Sequence, residues 1–200
     1  MGLPRSVWIG LGVPFVIGTI AIHYEVKVRL HRQGSGQVQQ LGSVKVGQPA
    51  PDFSLMDLSN RPVSLASYRE QKVVVLDFWA TWCGPCRMAM AGLQKIQDKF
   101  KDRGLEILSV NQGEEADQVR NFIERKKYLF HVVLDSDQAV AGRYGVGAIP
   151  TMVAIDKAGN VRWMSVGYSE TENDDLEKLL DLLTEQQPTV EFPTRTQEGH

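Results

Sequence analysis

The stretch Val73-Val74-Val75-Leu76-Asp77-Phe78-Trp79-Ala80-Thr81-Trp82-Cys83-Gly84-Pro85-Cys86 runs from an apolar segment straight into two cysteines. Cys83 and Cys86 are the only cysteines in the 200-residue chain, so within it each sulfur has only the other as a partner. Val73 to Trp79 is short, β-branched and aromatic, which predicts a buried strand. Met88, Leu93, Ile96 and Phe100 then recur at helical spacing and predict a helix that opens on the cysteine pair. A Cys-x-x-Cys at a strand-to-helix junction is the sequence form of a dithiol that closes to a disulfide and reopens.

A cysteine pair of this spacing has two other uses, a zinc site and a structural disulfide. Structural zinc takes four ligands, commonly as two spaced pairs. This chain has no second Cys-x-x-Cys, and His23, His31, His131 and His200 stand at no paired-ligand spacing. A purely structural disulfide across so short a loop constrains little of the unfolded chain. The residues therefore favour redox exchange, with no metal and no cofactor expected.

Composition bounds the rest. With 42% hydrophobic and 8% aromatic residues, the chain suffices for one globular domain plus extensions. The net charge of −2 hides an asymmetry. Residues 1–50 hold Arg5, Lys27, Arg29, Arg32 and Lys45 against Glu25, a balance of +4, which leaves −6 for the remainder. A basic leader on an acidic body argues against nucleic acid as a partner and for an anionic membrane surface near the leader. Val7 to Ile22 is an uncharged run of sixteen residues, about 24 Å as a helix. It fits a thin transmembrane anchor or a long secretory h-region, and the weak Thr19-Ile20-Ala21 match to a cleavage site favours an uncleaved anchor. Lys27, Arg29 and Arg32 against Arg5 place the carboxyl-terminal side in the cytoplasm by the positive-inside tendency.

The expected organisation is an anchor or signal segment at 1–24, a basic flank and flexible linker at 25–49, a domain at 50–185 and a disordered tail at 186–200. Within the domain, Phe53 to Met56 and Val63 to Leu65 suggest a hairpin around Asp57 to Pro62. Leu105 to Val110 reads as a second buried strand, Glu115 to Lys127 as a helix and His131 to Leu134 as a strand. A short helix is expected over Gln138 to Tyr144, and two strands, Pro150 to Ile155 and Val161 to Val166, around a turn at Asp156 to Asn160. Residues 171–185 read as an amphipathic helix with Leu176, Leu179, Leu180 and Leu183 inward. His131 is read as a strand residue of no chemical role.

These residues resemble a known family. Asp77 to Cys86 is similar to the active-site strand and motif of the thioredoxin superfamily, and Tyr144-Gly145-Val146-Gly147-Ala148-Ile149-Pro150-Thr151 to its cis-proline loop. The hairpin before the central strand, the insertion from Asn111 to Leu134, and Ile155 to Val161 resemble the membrane-anchored TlpA/ResA-like proteins. The resemblance runs from about Val46 to Glu185. It implies an α/β, thioredoxin-like fold: a central mixed sheet flanked by helices, with an N-terminal β-hairpin and a central αβ insertion.

The resemblance also implies an activity, that of a membrane-tethered thiol-disulfide oxidoreductase reducing protein disulfides. Apocytochrome c or a copper-site disulfide is the substrate type expected of such proteins. A thiol electron donor is implied as a second partner, and an extracytoplasmic domain, opposite to the charge count. Three departures stand out. Ala91 replaces a customary proline, which predicts an unkinked active-site helix. Ser109 stands where cytosolic thioredoxins carry a lysine near the buried acid. The intervening dipeptide is Gly84-Pro85, as in cytosolic thioredoxins, which favours a reducing centre.

The expected roles follow. Cys83, at the helix N-terminus, is the attacking nucleophile, because the dipole and free N–H groups favour a thiolate there. Cys86, one turn in, is the resolving thiol. Asp77, in an apolar strand, is expected to carry a raised pKa and exchange a proton with Cys86. Its alternative is an acid at a strand end reaching solvent. Pro150 is the expected cis-proline, placing Ile149 beside Cys83 for strand-like substrate contacts; a trans-proline opening an edge strand is the alternative. Trp82, Gly84 and Pro85 complete the substrate-facing set, with Trp79 in the core.

Two further functions compete. A peroxiredoxin-like peroxidase needs threonine three residues before its cysteine, where this chain has Ala80, with Thr81 one residue too late. A metallocentre-assembly module holding copper on the dithiol, or a chaperone-like binding module, is the non-enzymatic alternative.

Overall fold

The computed structural model describes residues 36–185. The anchor or signal expected at 1–24 and the tail at 186–200 lie outside them. Among the described residues, no helix is long and apolar enough to cross a membrane.

Within the described residues, nine strands and four α-helices follow in order. A small hairpin, β1 (Gln40–Leu41) with β2 (Val44–Lys45), precedes a second hairpin, β3 (Ser54–Asp57) with β4 (Pro62–Ser64). Then come β5 (Val73–Trp79), α1 (Gly84–Phe100), β6 (Leu105–Gln112), α2 (Ala116–Lys126) and β7 (His131–Asp135). The chain closes with α3 (Ala139–Tyr144), β8 (Thr151–Ile155), β9 (Val161–Val166) and α4 (Glu172–Glu185). The main sheet is seven-stranded, ordered β4-β3-β7-β6-β5-β8-β9. β5, β6 and β7 are parallel neighbours, and the remaining pairs are antiparallel. This is the mixed, helix-flanked sheet expected, with the hairpin and the αβ insertion in place.

Strand β5 is buried at every position because helices cover both sheet faces. Its period of two sends Val73, Val75 and Trp79 to one core with Cys86, Met90, Leu93 and Leu176. Val74, Leu76 and Phe78 enter a second core with Phe53, Val140 and Tyr144. Asp77 has the parity of the first set and is the single acid on that face of the strand. Helix α1 runs unbroken from Gly84 to Phe100, with a proline in its first turn, and the chain leaves it through Gly104 at φ 82°.

The structure corrects two expectations. Met88 stands in the apolar pattern that predicts α1 together with Leu93, Ile96 and Phe100, yet it is 52% exposed. The inward face counts from Cys86 through Ala89, Met90, Leu93, Ile96 and Phe100, and Met88 falls on the other side. The flexible linker expected to reach residue 49 is structured from residue 36. Val166 donates to the Gly36 carbonyl at 3.0 Å, Val38 to Met164 at 3.0 Å, Gly47 to Val161 at 2.7 Å and Ala50 to Gly159 at 2.9 Å. A Gly/Gln/Ser-rich segment has few apolar side chains, but every non-proline residue still has a backbone N–H and C=O to offer an edge strand. Gly145 shows how closely this hairpin docks. It sits at φ 67°, and a Cβ there would lie 2.6 Å from the Gly42 nitrogen.

Candidate active site

Cys83 and Cys86 are joined in a disulfide, with their Cα atoms 5.3 Å apart. Cys83 caps α1, and its Sγ accepts the Cys86 N–H at 3.1 Å. The sulfur therefore already lies where a free N–H of the first turn points, which is where a thiolate is stabilised. Cys83 is 4% exposed and Cys86 fully buried, so any partner reaches the pair through Cys83. The Ile149–Pro150 peptide is cis, and the Ile149 carbonyl lies 3.8 Å from Cys83 Sγ. In the disulfide this is a contact, and in the dithiol the same oxygen can accept the Cys83 S–H. Trp82 is 70% exposed beside the pair. Gly84 leaves the space above the turn open, since a Cβ there would meet only the Arg87 guanidinium at 3.9 Å. Cys83, Cys86, Trp82, Gly84, Pro85, Ile149 and Pro150 thus gather at one end of the sheet.

Asp77 lies in the layer behind them. It is 1% exposed, and neither carboxylate oxygen has a hydrogen-bond partner among the described residues. Burial raises its pKa from 3.8 to about 7, the nearby Glu172 carboxylate adds to the rise, and Ser109 offsets part of it. Ser109 stands opposite Asp77 in the β5–β6 register. The reading of Asp77 as a solvent-reaching acid is therefore incorrect.

Sequence reasoning did not single out two acids that shape this site. Glu172 opens α4, is 1% exposed, and has no partner for either oxygen. Burial pushes its pKa up, with Ser165 and the Ser169 backbone offsetting part, although no hydroxyl stands in bonding geometry to the carboxylate. α4 approaches closely because α1 carries Gly92, where a Cβ would lie 1.9 Å from the Asn173 amide nitrogen.

Glu114 is the opposite case, a buried acid fully engaged. It accepts from Thr81 N at 2.7 Å, Thr81 Oγ1 at 2.5 Å, Asn111 Nδ2 at 2.7 Å and Gln118 Nε2 at 2.6 Å. It ties the turn before Cys83 to the insertion. Glu114→Ala is expected to cost about 3 kcal/mol of stability, because the Thr81 and Asn111 donors lose their acceptor away from water. Glu114→Gln should cost less, since an amide oxygen still accepts. Urea unfolding of the three proteins compares them directly, and equal midpoints would refute the clamp.

Residues 46–164 match the AhpC/TSA family. The chain belongs to that family, within the thioredoxin superfamily. It is 41% identical over 131 residues to the thiol-disulfide oxidoreductase ResA of Geobacillus thermodenitrificans (strain NG80-2), covering 66% of this chain and 75% of that protein. ResA of Geobacillus kaustophilus (strain HTA426) is 40% identical over 139 residues, covering 70% and 78%. A Chlorobium tepidum crystal structure assigned as thiol:disulfide interchange protein DsbE superposes with a TM-score of 0.67 at 32% identity, covering 71% of this chain and 99% of that one. With a cysteine pair closed at the helix N-terminus, this AhpC/TSA-family chain is a thiol-disulfide oxidoreductase.

Proposed function

We infer that the protein runs as a reductase of protein disulfides, tethered to a membrane by residues 1–24 with its domain on the extracytoplasmic side. The single observation that carries the reading is the Cys83–Cys86 disulfide at the N-terminus of α1, one sulfur reachable past Trp82 and the other fully buried. In the reduced protein, the Cys83 thiolate attacks a substrate disulfide, and one substrate sulfur leaves as a thiolate that takes up a proton. The Cys86 thiol then loses its proton to Asp77 and attacks Cys83 Sγ in the mixed disulfide. The Cys83–Cys86 bond forms, and the second substrate sulfur leaves and is protonated. Two electrons pass to the substrate, and a thiol donor returns the pair to the dithiol. Ile149 and Pro150 line an extended substrate segment on one side of Cys83. Trp82 and the open space over Gly84 and Pro85 receive it on the other.

An equilibrium redox titration against glutathione tests the direction of flow. Superfamily members span about −270 mV for reductants to about −120 mV for oxidants, close to 7 kcal/mol for two electrons. A value near the reducing end is expected, and one near the oxidising end sinks the reductase reading. Labelling of Cys83 in intact cells by a membrane-impermeant thiol reagent, after mild reduction, tests the location. Protection until lysis would place the domain in the cytoplasm.

A further inference from the structure

A cavity of about 530 Å³ opens beside the active-site turn, lined by Thr81, Arg87, Gln118, Phe122, Arg125 and Lys126. Its volume falls within the range of about 300–1,000 Å³ typical of ligand sites. Thr81 stands two residues before Cys83, and Arg87 directly follows Cys86. The other four residues lie on α2 at i, i+4, i+7 and i+8, which is one face of that helix. Phe122 is buried and packs on Trp79 with ring centroids 5.3 Å apart, so the side of the cavity that it lines rests on the core behind the cysteines.

The charge in this cavity is one-sided. Arg87, Arg125 and Lys126 form no ion pair among the described residues; Lys45, Arg69, Lys95, Lys101, Lys127, Arg143 and Lys157 are unpaired as well, but these three line one cavity, and no acid lines it with them. Arg87 is steered toward the opening by donating to the Thr81 carbonyl at 3.4 Å. Glu114, the acid bonded to the lining residues Thr81 and Gln118, is consumed by the Thr81, Asn111 and Gln118 donors. Cations in the last turn of α2 complement its dipole, and that alone would explain Arg125 and Lys126. It does not explain Arg87, which sits in the first turn of α1 where a cation is unfavourable to the dipole. The three converge from two helices, on a chain whose residues 51–200 carry 17 Lys/Arg against 23 Asp/Glu.

We propose that this cavity is a subsite for acidic side chains of the polypeptide whose disulfide Cys83 engages. The proposal rests on the reductase reading above and adds a substrate preference to it. A disulfide poised for attack at Cys83 leaves its flanking residues over Thr81 and Arg87, within reach of the cavity. A carboxylate there finds three unpaired cations and the apolar Phe122 ring for its stem. Charge complementarity of this kind acts mainly on encounter and on rejection of wrong partners.

Two disulfide-linked peptides, identical except for Glu or Lys beside one cysteine, provide the test on the full chain. The reduced protein is expected to prefer the Glu peptide about tenfold in kcat/KM at low salt. The preference should shrink as the screening length falls from about 30 Å at 0.01 M to about 8 Å at 0.15 M. The double substitution Arg125→Glu with Lys126→Glu should reverse the preference, an outcome that misfolding cannot mimic. Equal rates on both peptides, or a preference untouched by the charge reversal, would overturn the subsite. A second arm needs no redox step. A cysteine-free Glu peptide titrated into the oxidised protein should move the NMR amide signals of Thr81, Gln118 and Phe122, and its Lys counterpart should not. Shifts without reduction of either peptide would uphold the subsite and remove the reductase reading. Reduction of both peptides without shifts would do the reverse.

Discussion

Replacing Cys83 with Ser is expected to reduce disulfide exchange to background, while Cys86→Ser should convert the protein into a trap that stays covalently joined to its substrate. The asymmetry follows from placement. Cys83 Sγ receives the Cys86 N–H at 3.1 Å at the start of α1 and faces the Ile149 carbonyl, so its thiolate is both stabilised and reachable. Cys86 is fully buried and cannot approach a substrate disulfide, so it cannot take over when Cys83 is lost. With Cys86 as Ser, attack still proceeds, but no thiol stands within the turn to release the product. The two variants, incubated with a disulfide-bearing peptide and run without reductant, should differ by one band, the mixed disulfide of Cys86→Ser. A comparable adduct on Cys83→Ser would reverse the assigned roles.

The ease with which this site reads from sequence varies with distance along the chain. Cys83, Cys86, Gly84, Pro85 and Asp77 lie within ten consecutive residues, so strand, turn and helix chemistry are local and legible. The β5 pattern was legible for the same reason, since two faces of a buried strand alternate at fixed period. The Ile149–Pro150 pair needed more, because only the resemblance of its loop linked it to Cys83, from which Ile149 is 66 residues away. Glu114 and Glu172 carried no local signal at all. Each is an ordinary acid near a helix start, and its meaning comes from partners far away in sequence: Thr81, 33 residues before Glu114, and Asp77 for Glu172. The hairpin at residues 40–45 was missed for another reason. The residues that flank it, Gly36, Val38, Gly47 and Ala50, pair by backbone with β9 and Gly159, and hydrophobic periodicity does not report backbone hydrogen bonds. Met88 shares the apolar pattern of Leu93, Ile96 and Phe100 but not their face, because a spacing of five residues to Leu93 turns it toward solvent.

Asp77→Asn should make the protein more stable at pH 8 and slower at the same time. The folded-state pKa of Asp77 is raised from 3.8 to about 7, so between those values the folded protein holds a proton that the unfolded chain has released. Stability therefore falls as pH rises from about 4 to about 7 and levels off above. At about 1.36 kcal/mol per pKa unit, the loss is about 4 kcal/mol, the cost of an ionised carboxylate buried without a partner. Asparagine removes that cost and retains some from its own unpaired amide. The variant should thus match the wild type near pH 4 and exceed it by about 2–4 kcal/mol at pH 8, read from urea unfolding of the oxidised form. Glu172→Gln supplies the internal control. Glu172 is the second cause of the raised pKa, so its neutralisation should move the midpoint of the slope to lower pH without abolishing it. The kinetic half of the prediction comes from the same carboxylate. Above pH 7 it is ionised behind the cysteine pair and can accept the Cys86 proton, and asparagine cannot. Release of the mixed disulfide should slow by about a hundredfold at pH 8, the low end of what a positioned base contributes. Burial raises the pKa of Glu172 as well, so a smaller slope should remain in Asp77→Asn; a slope of undiminished size would assign the titration away from Asp77. An unchanged release rate would leave Asp77 a buried charge without a part in the exchange.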